Sequence, residues 1–66
     1  NGKALRMVGS AVLIECRDGE TAECIAAHKE TEALCLRAGA KALVVRLDHV
    51  DKFRERVRLL GFGLVS

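Results

Sequence analysis

Two short runs dominate what this chain can fold into. "AVLIEC" at residues 11–16 and "KALVVRL" at residues 41–47 are apolar at nearly every position. Continuous runs of this length, rich in Val, Ile and Leu, suit strands covered on both faces, as in the middle of a sheet. The segment between them is long enough for a helix. Strand, helix and second buried strand then form a crossover unit, with its strands parallel and its hand right-handed almost without exception.

The residues between the runs set the expected boundaries. "ALRMV" at residues 4–8 precedes the first run, and Gly9-Ser10 separates the two. Gly-Ser suits a two-residue hairpin turn, and a bulge at Gly9 in one long strand is the alternative. "RDGE" ends the first run, and Asp18 or Thr21 can cap a helix expected over residues 20–38, with Gly39 as its stop. Asp48 is the expected cap of a second helix, with Asp51 in its acidic first turn. Val50, Phe53, Val57 and Leu60 make one apolar stripe along it. Gly61 ends that helix, and "FGLV" at residues 62–65 reads as a last short strand. The expected fold is α/β: a small mixed sheet in β-β-α-β-α-β order, with a right-handed βαβ unit and two helices packed on the sheet.

Size makes such a domain marginal by itself. The chain has 66 residues, and a domain of this length buries only about 60% of the surface of its unfolded form. Half of the residues are apolar, yet only Phe53 and Phe62 are aromatic. The three cysteines, Cys16, Cys24 and Cys35, are odd in number and do not form a disulfide framework, which favours a reducing, cytoplasmic setting. The first residue is Asn1 rather than Met, which suits a processed product or a piece of a larger fold. No apolar run approaches the roughly 20 residues of a membrane span. The net charge is only +2. Lys52, Arg54, Arg56 and Arg58 are diluted by Asp51 and Glu55 and lack interleaved aromatics, so they read as a solvated helix face. Neither a membrane nor a nucleic acid is an expected partner.

Projected as one helix, residues 21–38 carry two apolar stripes. Cys24, Ala27, Thr31, Leu34, Cys35 and Ala38 make the first. Ala22, Ile25, Ala26, Ala33 and Leu36 make the second, with Glu23, Glu30 and Arg37 as a polar seam between. One stripe can cover the sheet, and the second is the candidate partner interface.

Chemistry-bearing residues are few. Cys24, His28 and Cys35 fall along one helical edge and are the candidate metal ligands, although they lack the paired spacing of a zinc site. Packing of small buried cysteines is the plainer account of them. A Cys–His nucleophile would also need an oriented base and an oxyanion site, so no catalytic residue is assigned. Gly19, Glu20, Thr21 and Ala22 open the first helix and are the candidate anion- or cofactor-binding residues. Asp18, Glu20 and Glu23 crowd that place with negative charge. His49 reads as a solvated turn residue.

The order "AVLIEC", long helix, "AGAKALVV", "VDKFRERVRLLGF" is similar to the C-terminal half of the GNAT acyltransferase fold, over residues 11–66. It also resembles short GNAT-like proteins encoded by some phages, which share an apolar strand ending in an acid and a "GA" before the next strand. Leu60-Gly61-Phe62 is the most distinctive shared element. The resemblance implies acetyl-CoA as a ligand. The family's loop has the form [RQ]xxGx[GA], whereas this chain has "RDGETA". Where the family's last helix carries Asn, Ala and Tyr, this chain has Val50, Phe53 and Val57, and it contains no Tyr. The N-terminal half of the fold is missing as well. The resemblance therefore implies a remnant or subunit that has lost acyl transfer.

The sequence thus supports a single small domain over residues 1–66, expected to be a non-catalytic module that self-associates or docks within a larger protein assembly. An acyl-CoA-binding protein and a small-ligand-binding regulatory domain are the alternatives.

Overall fold

The computed structural model describes residues 2–65. It is a small α/β protein with a three-stranded antiparallel sheet and two helices. In chain order these are β1 (Ala11–Glu15), α1 (Gly19–Ala27), β2 (Leu36–Gly39), β3 (Ala42–Arg46) and α2 (Val50–Leu59). Short 3-10 turns at Glu32–Leu34 and Leu47–His49 precede β2 and α2. The sheet order is β1-β3-β2.

The first helix is half as long as its composition suggests. Asp18 caps it as expected, accepting the Thr21 N–H at 2.8 Å. It then stops at Ala27, because local hydrogen bonds compete with further turns. The His28 N–H donates to the Cys24 carbonyl at 2.9 Å, while His28 itself turns extended at ψ 137°. Its ring Nδ1 accepts the Glu30 N–H at 3.0 Å. The fully buried Thr31 folds back and donates its hydroxyl to the Ile25 carbonyl. The bonds from the His28 N–H and the Thr31 hydroxyl satisfy carbonyls that a helix end leaves without partners.

The stop at Ala27 changes the topology. Residues 36–39, expected as the end of a helix, are a strand. Gly39, expected as a helix stop, instead sits at the β2–β3 turn at φ +149°, a conformation that suits glycine. The hairpin returns β3 beside β1 in the opposite direction, pairing Ala11 with Arg46 and Glu15 with Ala42. The expected parallel βαβ unit is therefore replaced by antiparallel pairs throughout. The run at residues 41–47 is the central strand, as its composition suggested. The run at residues 11–16 is an edge strand, although both of its faces are apolar.

Residues 4–8 and 62–65 form no strand. Phe62 and Leu64 nonetheless pack against the core. The second helix keeps its expected stripe, with Phe53 and Val57 buried and Val50 and Leu60 half-buried. Gly61, at φ +97°, ends it in a Schellman motif: the Phe62 N–H reaches the Val57 carbonyl at 2.9 Å and the Gly61 N–H reaches Arg58 at 3.0 Å. Asp48 is not its cap. The cap position is His49, which makes no side-chain capping bond.

One core lies between the helices and one face of the sheet: Cys16, Ala22, Ile25, Cys35, Leu43, Val45, Phe53 and Val57. Arg37 ties α1 to the hairpin, bonding Glu23 at 2.6 Å and the Ala40 carbonyl at 2.8 Å. Arg56 ties α2 to the loop after α1 through the Glu30 carbonyl at 3.0 Å. The polar seam expected along one helix is thus divided between two contacts.

Candidate functional site: a bare sheet face, an open edge and an apolar arm

The helices cover one face of the sheet and leave the other open. Leu13 and Leu36 are both directly opposite Val44 in the register. Opposed residues of an antiparallel pair project to the same side, so Leu13, Val44 and Leu36 form a row across all three strands. Neighbouring Leu43 and Val45 face the core. Leu13 is 69% exposed and Leu36 72% exposed on the two edge strands, large values for leucines in a sheet, and Val44 between them is half-buried. Glu15–Lys41 and Arg46–Asp48 ion pairs, at 4.0 and 3.7 Å, stand near this face.

The hydrogen-bond pattern also fixes which way the peptides of β1 point. Leu47 donates to the Ser10 carbonyl, and Cys16 donates to the Lys41 carbonyl. Antiparallel partners alternate between bonded and non-bonded pairs, so residues 10, 12, 14 and 16 bond toward β3. Ala11, Leu13 and Glu15 therefore direct their N–H and C=O groups to the outer edge, where no further strand lies among the described residues. That edge has no proline or bulge to blunt it.

Residues 2–10 run off β1 as an exposed arm. Leu5 is 99% and Met7 98% exposed. At its base the arm is tied to β3 and the turn after it. The Ser10 carbonyl accepts the Leu47 N–H at 2.9 Å, and the Val8 carbonyl accepts from Arg46 at 3.4 Å. Beyond Gly9, whose φ is +139°, the arm does not pair with β1. The radius of gyration is 12.6 Å, against about 11 Å for a compact chain of this length. The exposed surface is 5192 Å², against about 4,100 Å² for a compact monomer of the same mass.

A groove of about 630 Å³ lies on the helix side of the β1 edge, between β1, α2 and the segment from Phe62 to Val65. Val12, Ile14, Phe53 and Leu64 make it mainly apolar. Arg54 lines it too and donates to the Leu64 carbonyl at 3.3 Å.

The residues singled out from the sequence are scattered by this fold. Of the candidate metal ligands, Cys24 is exposed and Cys35 buried. The latter lies beyond α1, and the His28 Nδ1 is taken by the Glu30 N–H. Among the described residues no group of three or more His, Cys, Asp or Glu side chains stands where it could hold a metal ion. Burial raises the pKa of the Cys16 and Cys35 thiols above the ordinary value. Of the candidate cofactor-binding residues, Ala22 is fully buried and the Thr21 N–H is taken by Asp18. A Cβ on Gly19 would lie 3.1 Å from the Ala40 carbonyl oxygen, so the β2–β3 turn closes over that helix start.

The proposed interface stripe also divides. Ala22 and Ile25 are core residues, Ala26 is half-buried, and Ala33 and Leu36 are exposed outside the helix. Sequence reasoning did not single out Leu5, Met7, Leu13 or Val44. Their signal was present: β1 is apolar on both faces and leaves one of them bare. Among the described residues no helix is long and apolar enough to cross a membrane. No protein-family model, no curated protein and no solved structure matches this chain.

Proposed function

We propose that this protein is a non-catalytic association module that binds through the β1 edge and the bare face of its sheet. The Leu13–Val44–Leu36 row is the observation that carries this reading. A row of aliphatic side chains, exposed at Leu13 and Leu36 and half-buried at Val44, beside outward-pointing strand peptides suits addition of a further strand. Backbone bonds then supply affinity, and the apolar row supplies contact area. The surface in excess of a compact monomer, about 1,000 Å², is comparable to the roughly 800 Å² that each partner buries in an interface of standard size.

Light scattering on the intact chain tests this reading. Wild type at micromolar concentration is expected well above 7.2 kDa, and Leu13→Lys with Leu36→Lys is expected to lower that mass while far-UV circular dichroism stays unchanged. A wild-type mass of one chain across the concentration range, with no change on substitution, counts against it.

The groove between β1 and α2 favours a second reading, a small-ligand-binding domain, because about 630 Å³ lies within the usual range of ligand pockets. Acetyl-CoA, the ligand implied by the sequence resemblance, is the first probe. Saturable heat on titration, abolished by Arg54→Ala, would favour this reading over association.

A further inference from the structure

We infer that two copies of this chain exchange their arms, residues 5–9 of each lying antiparallel against the β1 edge of the other. The inference rests on the association reading above and names its occupant.

Three observations select a second copy. First, the arm supplies what the edge lacks. It carries Leu5 and Met7 in near-complete exposure. It lengthens β1 beyond the point where β3 departs into its 3-10 turn. Secondly, the arm does not turn back on its own edge. The Val8 and Ser10 carbonyls accept from Arg46 and Leu47; in the exchanged pair the arm continues the alternation of β1, with Met7 and Gly9 directing their peptides outward like Ala11 and Leu13. Thirdly, a two-fold axis at Ser10 satisfies both copies at once. Gly9, Met7 and Leu5 come opposite Ala11, Leu13 and Glu15 of the other chain, outward peptide against outward peptide. The contact is isologous and closed, and it joins the three strands of each copy into one continuous sheet.

The register also places the side chains. Opposed residues share a face, so Met7 of one copy extends the Leu13–Val44–Leu36 row of the other. Val8 comes opposite Val12, on the groove side. The arm that elongates the isolated chain becomes the cover of its partner's edge. Gly9, at φ +139°, is the pivot between this arrangement and the alternative in which the arm folds back as a hairpin on its own β1.

Crosslinking combined with mass measurement tests the exchange. Met7→Cys and Leu13→Cys are made as separate variants, each with Cys24→Ser to remove the exposed native thiol. Hydrogen-bonded antiparallel partners have Cα atoms about 5.5 Å apart, within disulfide range. Mixing the two variants under mild oxidation is expected to give a covalent pair of twice 7.2 kDa, with much less product from either variant alone. The arm variant Leu5→Lys with Met7→Lys is expected to fall to the mass of one chain with unchanged circular dichroism, since neither side chain belongs to the core.

Loss of association in the arm variant together with the mixed crosslink supports the exchange. An arm variant that keeps the wild-type mass, with no mixed crosslink, overturns the exchange and leaves association through another surface. A crosslink from Leu13→Cys alone assigns the contact to β1 against β1 and overturns it as well. A wild-type mass of one chain overturns both the exchange and self-association.

Discussion

The hydroxyl of Thr31 donates to the backbone carbonyl of Ile25, from a side chain with no exposed surface. This bond closes the end of α1 and turns the chain toward β2. Replacing Thr31 by Val keeps the volume and removes the donor, leaving a buried carbonyl without its partner, at a cost of about 1–3 kcal/mol. In a domain of this size each kcal/mol shifts Tm by about 4–8 °C. Thr31→Val is expected to lower Tm accordingly in a thermal melt, and Thr31→Ser, which keeps the donor, to lower it less. A larger loss in Thr31→Ser than in Thr31→Val would assign the stability to the methyl group instead of the bond.

The same bond explains what the sequence did not reveal. The second helix was legible because its signals are local: one stripe from Val50 to Leu60 and a glycine stop at Gly61. The end of the first helix has no glycine or proline to mark it. It depends on a threonine six residues from its acceptor and on a histidine ring bonding its own turn, and both residues are tolerated within helices. Gly39 was legible as a position needing positive φ, but both a helix end and a hairpin turn use such a glycine. The double-sided apolar character of β1 suggests a central strand. It marks instead an edge strand with one face bare. Of the candidate site, only Leu36 stands out in the sequence pattern, and there it belongs to a helical stripe that the fold does not form.

Asp18 couples α1 to pH. The Thr21 N–H donated to its carboxylate is the main cause of a pKa below the ordinary value, and a further hydrogen bond from the Thr21 side chain adds to it. A carboxyl whose folded pKa is depressed contributes stability above its unfolded pKa of about 4, and that contribution is lost as pH falls through the folded value. Stability by denaturant titration is therefore expected to drop more steeply below about pH 4 in wild type than in Asp18→Asn. The asparagine keeps a capping oxygen that does not titrate in this range. Parallel curves for the two proteins would show that the cap is not the titrating element.

The three cysteines should be told apart by reactivity. Thiolate is the reactive form, and burial both shields Cys16 and Cys35 and raises their pKa. The thiol of Cys35 also points at the Thr31 carbonyl, at 3.5 Å. Cys24 is exposed on α1. With a thiol reagent at neutral pH, one equivalent is expected to react quickly in the native protein, and the other two only on addition of denaturant. Peptide mapping should place the fast label on Cys24. Rapid labelling of Cys35 in the native state would mean that the turn between α1 and β2 opens locally.

The direction of the β1 peptides can be tested by proline substitution, independently of any partner. Proline removes the backbone N–H and is accepted in a sheet only where that N–H faces outward from an edge. The Leu13 N–H points to the outer edge, whereas the Ile14 N–H points to β3, as follows from the Ser10–Leu47 and Cys16–Lys41 bonds. Leu13→Pro is therefore expected to retain a cooperative melt and the far-UV spectrum of the wild type. Ile14→Pro should lose the cooperative transition, through the missing ladder bond and the changed core contact. Val12→Pro, also with its N–H toward β3, separates these two causes because Val12 lies outside the buried core cluster. If Leu13→Pro unfolded while Val12→Pro did not, the edge assignment would be inverted. The outward peptides would then be those of residues 12 and 14, and the arm register built on Leu13 would fail with it.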